Sequence, residues 1–127
     1  MILLDTHALI WYLAGDPQLP NDRKNDINNE AIKCYVSIVS IWEIAIKESL
    51  KKLEYGSGVE EITKLLVNSP FLLLPIKIDH IRLLTNLPFH HRDPFDRMLI
   101  AQAMMEDLTI ITKDTWFPDY GIRISWN

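Results

Sequence analysis

Short apolar runs that stop at a polar or acidic residue recur along this chain, with helically spaced segments between them. Ile2–Asp5 is apolar until it ends abruptly in a charge, which reads as a short buried strand. Thr6–Ala14 then carries apolar residues at 9, 10, 13 and 14, a helical spacing, and Gly15 supplies a stop. Cys34–Ser37, Phe71–Ile76, Thr109–Thr112 and Ile122–Trp126 read as further strands. Between them, Pro20 opens a polar helix running to about Asn29. Ser40 is an N-cap for a helix Ile41–Lys52, with Glu43 in capping-box position. Ser57–Asn68 and Lys77–Leu87 are helical, Pro88–Pro94 is a loop, and Asp93-Pro94 sets up a helix Phe95–Glu106. Strands joined through crossover helices require a mainly parallel sheet covered on both faces.

That pattern fits a single domain over residues 1–127, with enough apolar content (48%) for a real core. The longest apolar runs, Ile38–Trp42 and Phe71–Ile76, are interrupted by Ser40 and Pro75 and fall far short of the roughly 20 residues a membrane span needs. No basic, cleavable leader precedes Asp5, and a lone cysteine, Cys34, makes no internal disulfide. Both point to the cytoplasm, with Cys34 as a small core residue. A net charge of −4 argues against a generic nucleic-acid binder but leaves room for a nuclease whose acids surround a metal.

In parallel sheets, ligands bind beyond the carboxyl ends of the strands. Asp5 stands at such an end, and Asp114 lies just past Thr109–Thr112. Glu43 and Asp96 lie near the starts of helices that begin at the same edge. Each acid also has a local explanation. Asp5 can be an N-cap, Glu43 a capping-box residue or a partner of Lys47, and Asp114 a turn residue before Trp116. Asp93 suits the N-cap before Pro94, and Asp96 gains from the helix dipole. Taken together, converging carboxylates would repel one another, and Mg²⁺ or Mn²⁺ is the natural counter-charge for hard oxygen ligands. His90 and His91 have no Cys or His partner at zinc spacing, so they read as substrate or loop contacts. Arg92, Arg97, Lys47 and Lys113 lie close in sequence to the acids. They are candidate phosphate contacts, or simply solvated surface.

Four segments resemble, in order, the signatures of the PIN-domain ribonucleases of the VapC toxin type. These are Asp5-Thr6-His7-Ala8-Leu9-Ile10-Trp11, Ser40-Ile41-Trp42-Glu43-Ile44, Asp93 to Ala103, and Thr109 to Asp114. The resemblance implies a three-layer α/β/α sandwich around four to five short, mainly parallel strands. It implies a Mg²⁺- or Mn²⁺-dependent endoribonuclease with a cognate antitoxin, and a homodimer would join two modest basic patches into one RNA groove. Carried over by position, the acidic set is Asp5, Glu43, Asp96 and Asp114. Asp93 is a possible additional acid, and the Thr112 hydroxyl would orient an acid or the attacking water. Asp5 and Asp96 are the first choice as direct metal ligands. Attack by metal-activated water would leave a 5′-phosphate and a 3′-hydroxyl. An antitoxin Arg laid across the carboxylates would block such a site. Trp11 and Trp42 are candidate dimer or antitoxin contacts, with core packing the preferred reading of both.

Two competing classes fit less well. A haloacid-dehalogenase-type phosphatase needs a second Asp where this chain has His7, and a receiver domain needs adjacent acids near its first strand. A catalytically degenerate PIN fold serving as a protein- or RNA-binding module should have lost one or two acids, and all four are present.

Overall fold

The strands are as short as the apolar runs that form them. The computed structural model describes residues 1–52, 58–69 and 71–127. In chain order the elements are β1 (Ile2–Leu4), α1 (Thr6–Ala14), α2 (Asn21–Asn28), β2 (Cys34–Ser37), α3 (Ile38–Ser49) and α4 (Val59–Asn68). They continue with β3 (Leu72–Leu74), α5 (Ile78–Thr85), α6 (Pro94–Glu106), β4 (Thr109–Ile111), a 3-10 turn at Phe117–Tyr120 and β5 (Ile124–Ser125). The five strands form one sheet in the order β3-β2-β1-β4-β5, and every neighbouring pair is parallel.

β1 is the central strand, and period-two alternation divides its side chains between two cores. Leu4 and Ile111 face one layer with Leu9, Ile44 and Ile62, drawn from α1, α3 and α4. Leu3 and Ile110 face the other with Leu99, Ile100 and Phe117, from α6 and the 3-10 turn. The result is the expected α/β/α sandwich. Among the described residues no helix is long and apolar enough to cross a membrane. Cys34 is buried on β2, and burial pushes its thiol up to about 12, so it is a packing residue without nucleophilic character.

Several boundaries follow the sequence signals closely. Gly15 ends α1 in the left-handed region (φ 63°), a conformation that suits a residue without a Cβ. Asp93 caps α6, with Pro94 in its first turn. Two expectations fail for identifiable reasons. The α3 helix starts at Ile38 rather than Ile41, because Ser37 ends β2 and caps the helix at once, its Oγ accepting from Val39 N at 3.0 Å. Ser40 is therefore an interior residue of the first turn, and Glu43 belongs to no capping box. Ser57, read as the start of α4, lies outside the described residues, and the helix is described from Val59. Trp42 is not a core residue: it is 59% exposed and lies edge-to-face with Phe95, at 5.0 Å between ring centroids. Trp11 is half-buried, packed between the first core and Trp126.

Candidate active site

Because Leu4 pairs with Ile111, the chain leaves β1 and β4 side by side, and the residues that follow are brought into contact. Thr112 Oγ1 donates to Asp5 Oδ2 at 2.6 Å, and the same hydroxyl oxygen accepts from Asp114 N at 3.0 Å. The other carboxylate oxygen of Asp5 accepts from Ala8 N at 2.8 Å and caps α1. The capping role and a place at the sheet edge are thus compatible in one side chain. Asp5 is 5% exposed, and burial lifts its carboxyl to about 6. That desolvation outweighs the Thr112 and Ala8 hydrogen bonds, which act in the opposite direction.

Asp96, the third residue of α6, is the most perturbed of the four acids. Burial is the main cause, and the charges of Asp93, Glu43, Asp5 and Asp114 add to it, so its carboxyl is pushed up to about 8. Acids scattered along the chain are thus gathered near Asp96. Glu43 is nearly buried, with Oε1 accepting from Thr6 Oγ1 at 2.7 Å and Oε2 3.1 Å from Lys47 Nζ. Lys47 is therefore engaged with Glu43 and is not a free phosphate contact. Asp93 is exposed, and its Oδ1 accepts from both Phe95 N and Asp96 N. It acts as the helix cap, and its charge is felt by Asp96.

Arg97 is also not a surface cation. It is 5% exposed, its guanidinium donates to Leu87 O, Pro88 O and Tyr120 Oη, and it stacks on Phe89 at 3.9 Å. Its sequence neighbours suggested a phosphate contact, but the carbonyls of the 87–88 loop claim it first. Arg92 and Lys113 are exposed, the latter 5.9 Å from the Trp11 ring.

One ligand atom each from His91, Asp96 and Asp114 lies within 4.8 Å of the others. Atoms bound to one cation at 2.0–2.6 Å stand roughly 3–5 Å apart, so the spacing suits a common ion. Among the described residues no Lys or Arg pairs with Asp5, Asp96 or Asp114. Clustered carboxylates that no Lys or Arg neutralises make a donor set that fits a hard divalent ion. The sequence reading left out Thr6, which ties Glu43, and Tyr120, which holds Arg97 and His91. A hydroxyl directly after Asp5 was a visible hint of the first. Tyr120 carries no local signal.

A PIN domain model matches residues 2–122. No curated protein matches the chain by sequence. Among solved structures, VapBC2 from Rickettsia felis bound to a promoter DNA fragment is similar, with a TM-score of 0.72, 15% identity and full coverage of both chains. DNA-bound VapBC from Salmonella typhimurium gives a TM-score of 0.71 at 18% identity, covering 98% of this chain and 96% of that one. FitAcB from Neisseria gonorrhoeae gives 0.67 at 21%, covering 100% and 97%.

Proposed function

The chain belongs to the PIN-domain family, and from that premise we propose that it is a metal-dependent endoribonuclease, the toxin of a toxin–antitoxin pair. The observation that carries the reading is the convergence of Asp5, Glu43, Asp96 and Asp114 on one sheet edge, where Asp96 is held at about 8. Such a cluster is unfavourable for the fold and gains its value when a cation binds. The similar structures are complexes of the VapBC and FitAB kind, which supports a cognate antitoxin as partner. The same reading has residues 1–127 acting as one domain, as a homodimer, in the cytoplasm.

Mg²⁺ or Mn²⁺, when bound, would supply Lewis-acid stabilisation of charge at phosphorus and a more acidic water. The protein's part is to hold and orient. Asp5 and Asp96 would hold the ion, Asp5 with its carboxylate fixed at both oxygens by Thr112 and the α1 amide of Ala8. Thr112 also fixes the Asp114 backbone, which aims that carboxylate toward Asp96. Glu43, with its charge offset by Lys47, borders the cluster and would orient the attacking water or hold a second ion. The exposed Arg92 and Lys113 remain as candidate phosphate contacts at the rim.

The test is cleavage of a total cellular RNA pool by antitoxin-free protein, with ends mapped by sequencing and Asp5→Asn run in parallel. Discrete cuts bearing 5′-phosphates, lost with chelator and with the variant, are expected. Absence of cutting by Mn²⁺-loaded wild type would refute the assignment.

A further inference from the structure

His91 has an environment that the proposed reaction does not use. Its backbone N–H donates to Tyr120 Oη at 3.3 Å, Arg97 Nη1 donates to the same oxygen at 3.1 Å, and its own ring Nδ1 lies 3.1 Å from it. A phenolic oxygen accepts at most two hydrogen bonds and donates one. The amide and the guanidinium can only donate, so they fill both accepting positions. The Tyr120 proton is left for Nδ1. A neutral imidazole that accepts at Nδ1 carries its hydrogen on Nε2.

That Nε2 is buried and has no hydrogen-bond partner among the described residues, although Asp96 Oδ2 lies 3.5 Å away. A buried donor left unsatisfied is uncommon and unfavourable. The restraint behind it is rigid, since Arg97 is itself fixed by two loop carbonyls and the Phe89 ring. A metal-site carboxylate commonly needs a partner for the oxygen that does not face the ion.

We propose that His91 is a positioning residue: held by Tyr120 and Arg97 as an Nε2–H donor, it closes on Asp96 Oδ2 when a divalent cation draws that carboxylate into place. The imidazole is then a partner of a ligand and not a nitrogen ligand itself. This inference rests on the metal-nuclease reading, and its test separates the two.

The experiment measures Mn²⁺ binding to the full chain by electron paramagnetic resonance, at a pH above neutrality, for wild type, Asp96→Asn, His91→Leu and His91→Gln. Wild type should bind and Asp96→Asn should not. His91→Leu should weaken binding by about 10–100-fold, the usual effect of removing a ligand's partner. His91→Gln, whose amide N–H can stand where Nε2 does, should recover most of it. Pulsed spectra of the wild type should show no directly bound nitrogen. Nitrogen-15 spectra of the histidines should report a protonated Nε2 before and after Mg²⁺, a readout that needs no variant to fold. If wild type binds no Mn²⁺, the metal-nuclease reading falls and this inference with it. If wild type binds and Asp96→Asn does not, a directly coordinated nitrogen, a bare Nε2, or unchanged affinity in His91→Leu overturns the inference alone.

Discussion

Replacing Asp96 with Asn should stabilise the metal-free protein, and by an amount that grows with pH. The carboxyl is raised from the usual carboxylate range to about 8, so between those limits the folded state binds a proton that the unfolded chain has lost. Stability must then fall as pH rises through that window, being fully present only below the unfolded value near 4. Between pH 5 and pH 8 the window covers about three units at about 1.4 kcal/mol each, an upper bound near 4 kcal/mol. The side chain is 22% exposed and therefore partly screened, so about 2–4 kcal/mol is the working range. Asn resembles the protonated carboxyl in shape and carries no charge, so the variant escapes the loss. At roughly 4 °C per kcal/mol for a domain of this size, the gap between the two melting curves should widen by about 8–16 °C from pH 5 to pH 8. The gap should close only near pH 4, where the unfolded chain holds the proton as well. The assay is thermal unfolding in chelator from pH 5 to pH 8.5, repeated with saturating Mg²⁺, which should raise the wild type and leave Asp96→Asn unmoved. A wild-type midpoint independent of pH, or a variant less stable than wild type at pH 8, would refute the reasoning.

Other consequences are equally direct. Thr112→Val removes the donor to Asp5 and the acceptor of Asp114 N, so Mg²⁺ affinity measured by calorimetry should drop by about 10–100-fold, with Thr112→Ser restoring it; equal affinity in both variants would exclude an orienting role. Arg97→Met leaves the carbonyls of Leu87 and Pro88 without their buried donor, and chemical denaturation should show a loss of about 2–4 kcal/mol. For RNA bound in the presence of Ca²⁺, Arg92→Ala and Lys113→Ala should each reduce the salt dependence of affinity, whereas Arg97→Lys should not; the opposite pattern would return Arg97 to the RNA surface. Cys34 should stay unmodified by a thiol reagent in native protein at pH 8 and react only on unfolding, and rapid native labelling would contradict its burial.

Local signals carried much of the fold. The run Ile2–Leu4, the acid that ends it, the helix Thr6–Ala14 and the Gly15 stop all depend on neighbours a few residues away, and all are read off the chain directly. The same holds for the Asp93-Pro94 entry into α6. Where two local solutions compete, sequence does not choose between them. Ser37 and Ser40 are both good caps, and only the direct passage from β2 into α3 selects Ser37. The placement of the four acids at one edge follows from the alternation of strands and helices. The partners of each acid do not. Arg97 looks like any basic residue beside an acid until the loop at 87–88 and Tyr120 are seen to enclose it. His91 faces Tyr120 from 29 positions away, and nothing in its own sequence neighbourhood fixes which ring nitrogen holds the proton.

The hydrogen bond between Thr112 and Asp5 joins residues 107 positions apart, and it forms only when β4 has docked against the middle strand of the sheet. A polypeptide emerging from the ribosome exposes Asp5 and Glu43 early, yet it has no neighbour for β1 on that side until residues 109–111 are outside. Translation thus delays completion of the centre until the residues through Asp114 are made. A nascent or truncated chain that lacks β4 cannot place Asp114 or clamp Asp5. Whatever chemistry the centre performs is therefore withheld from a growing chain until β4 has emerged and docked.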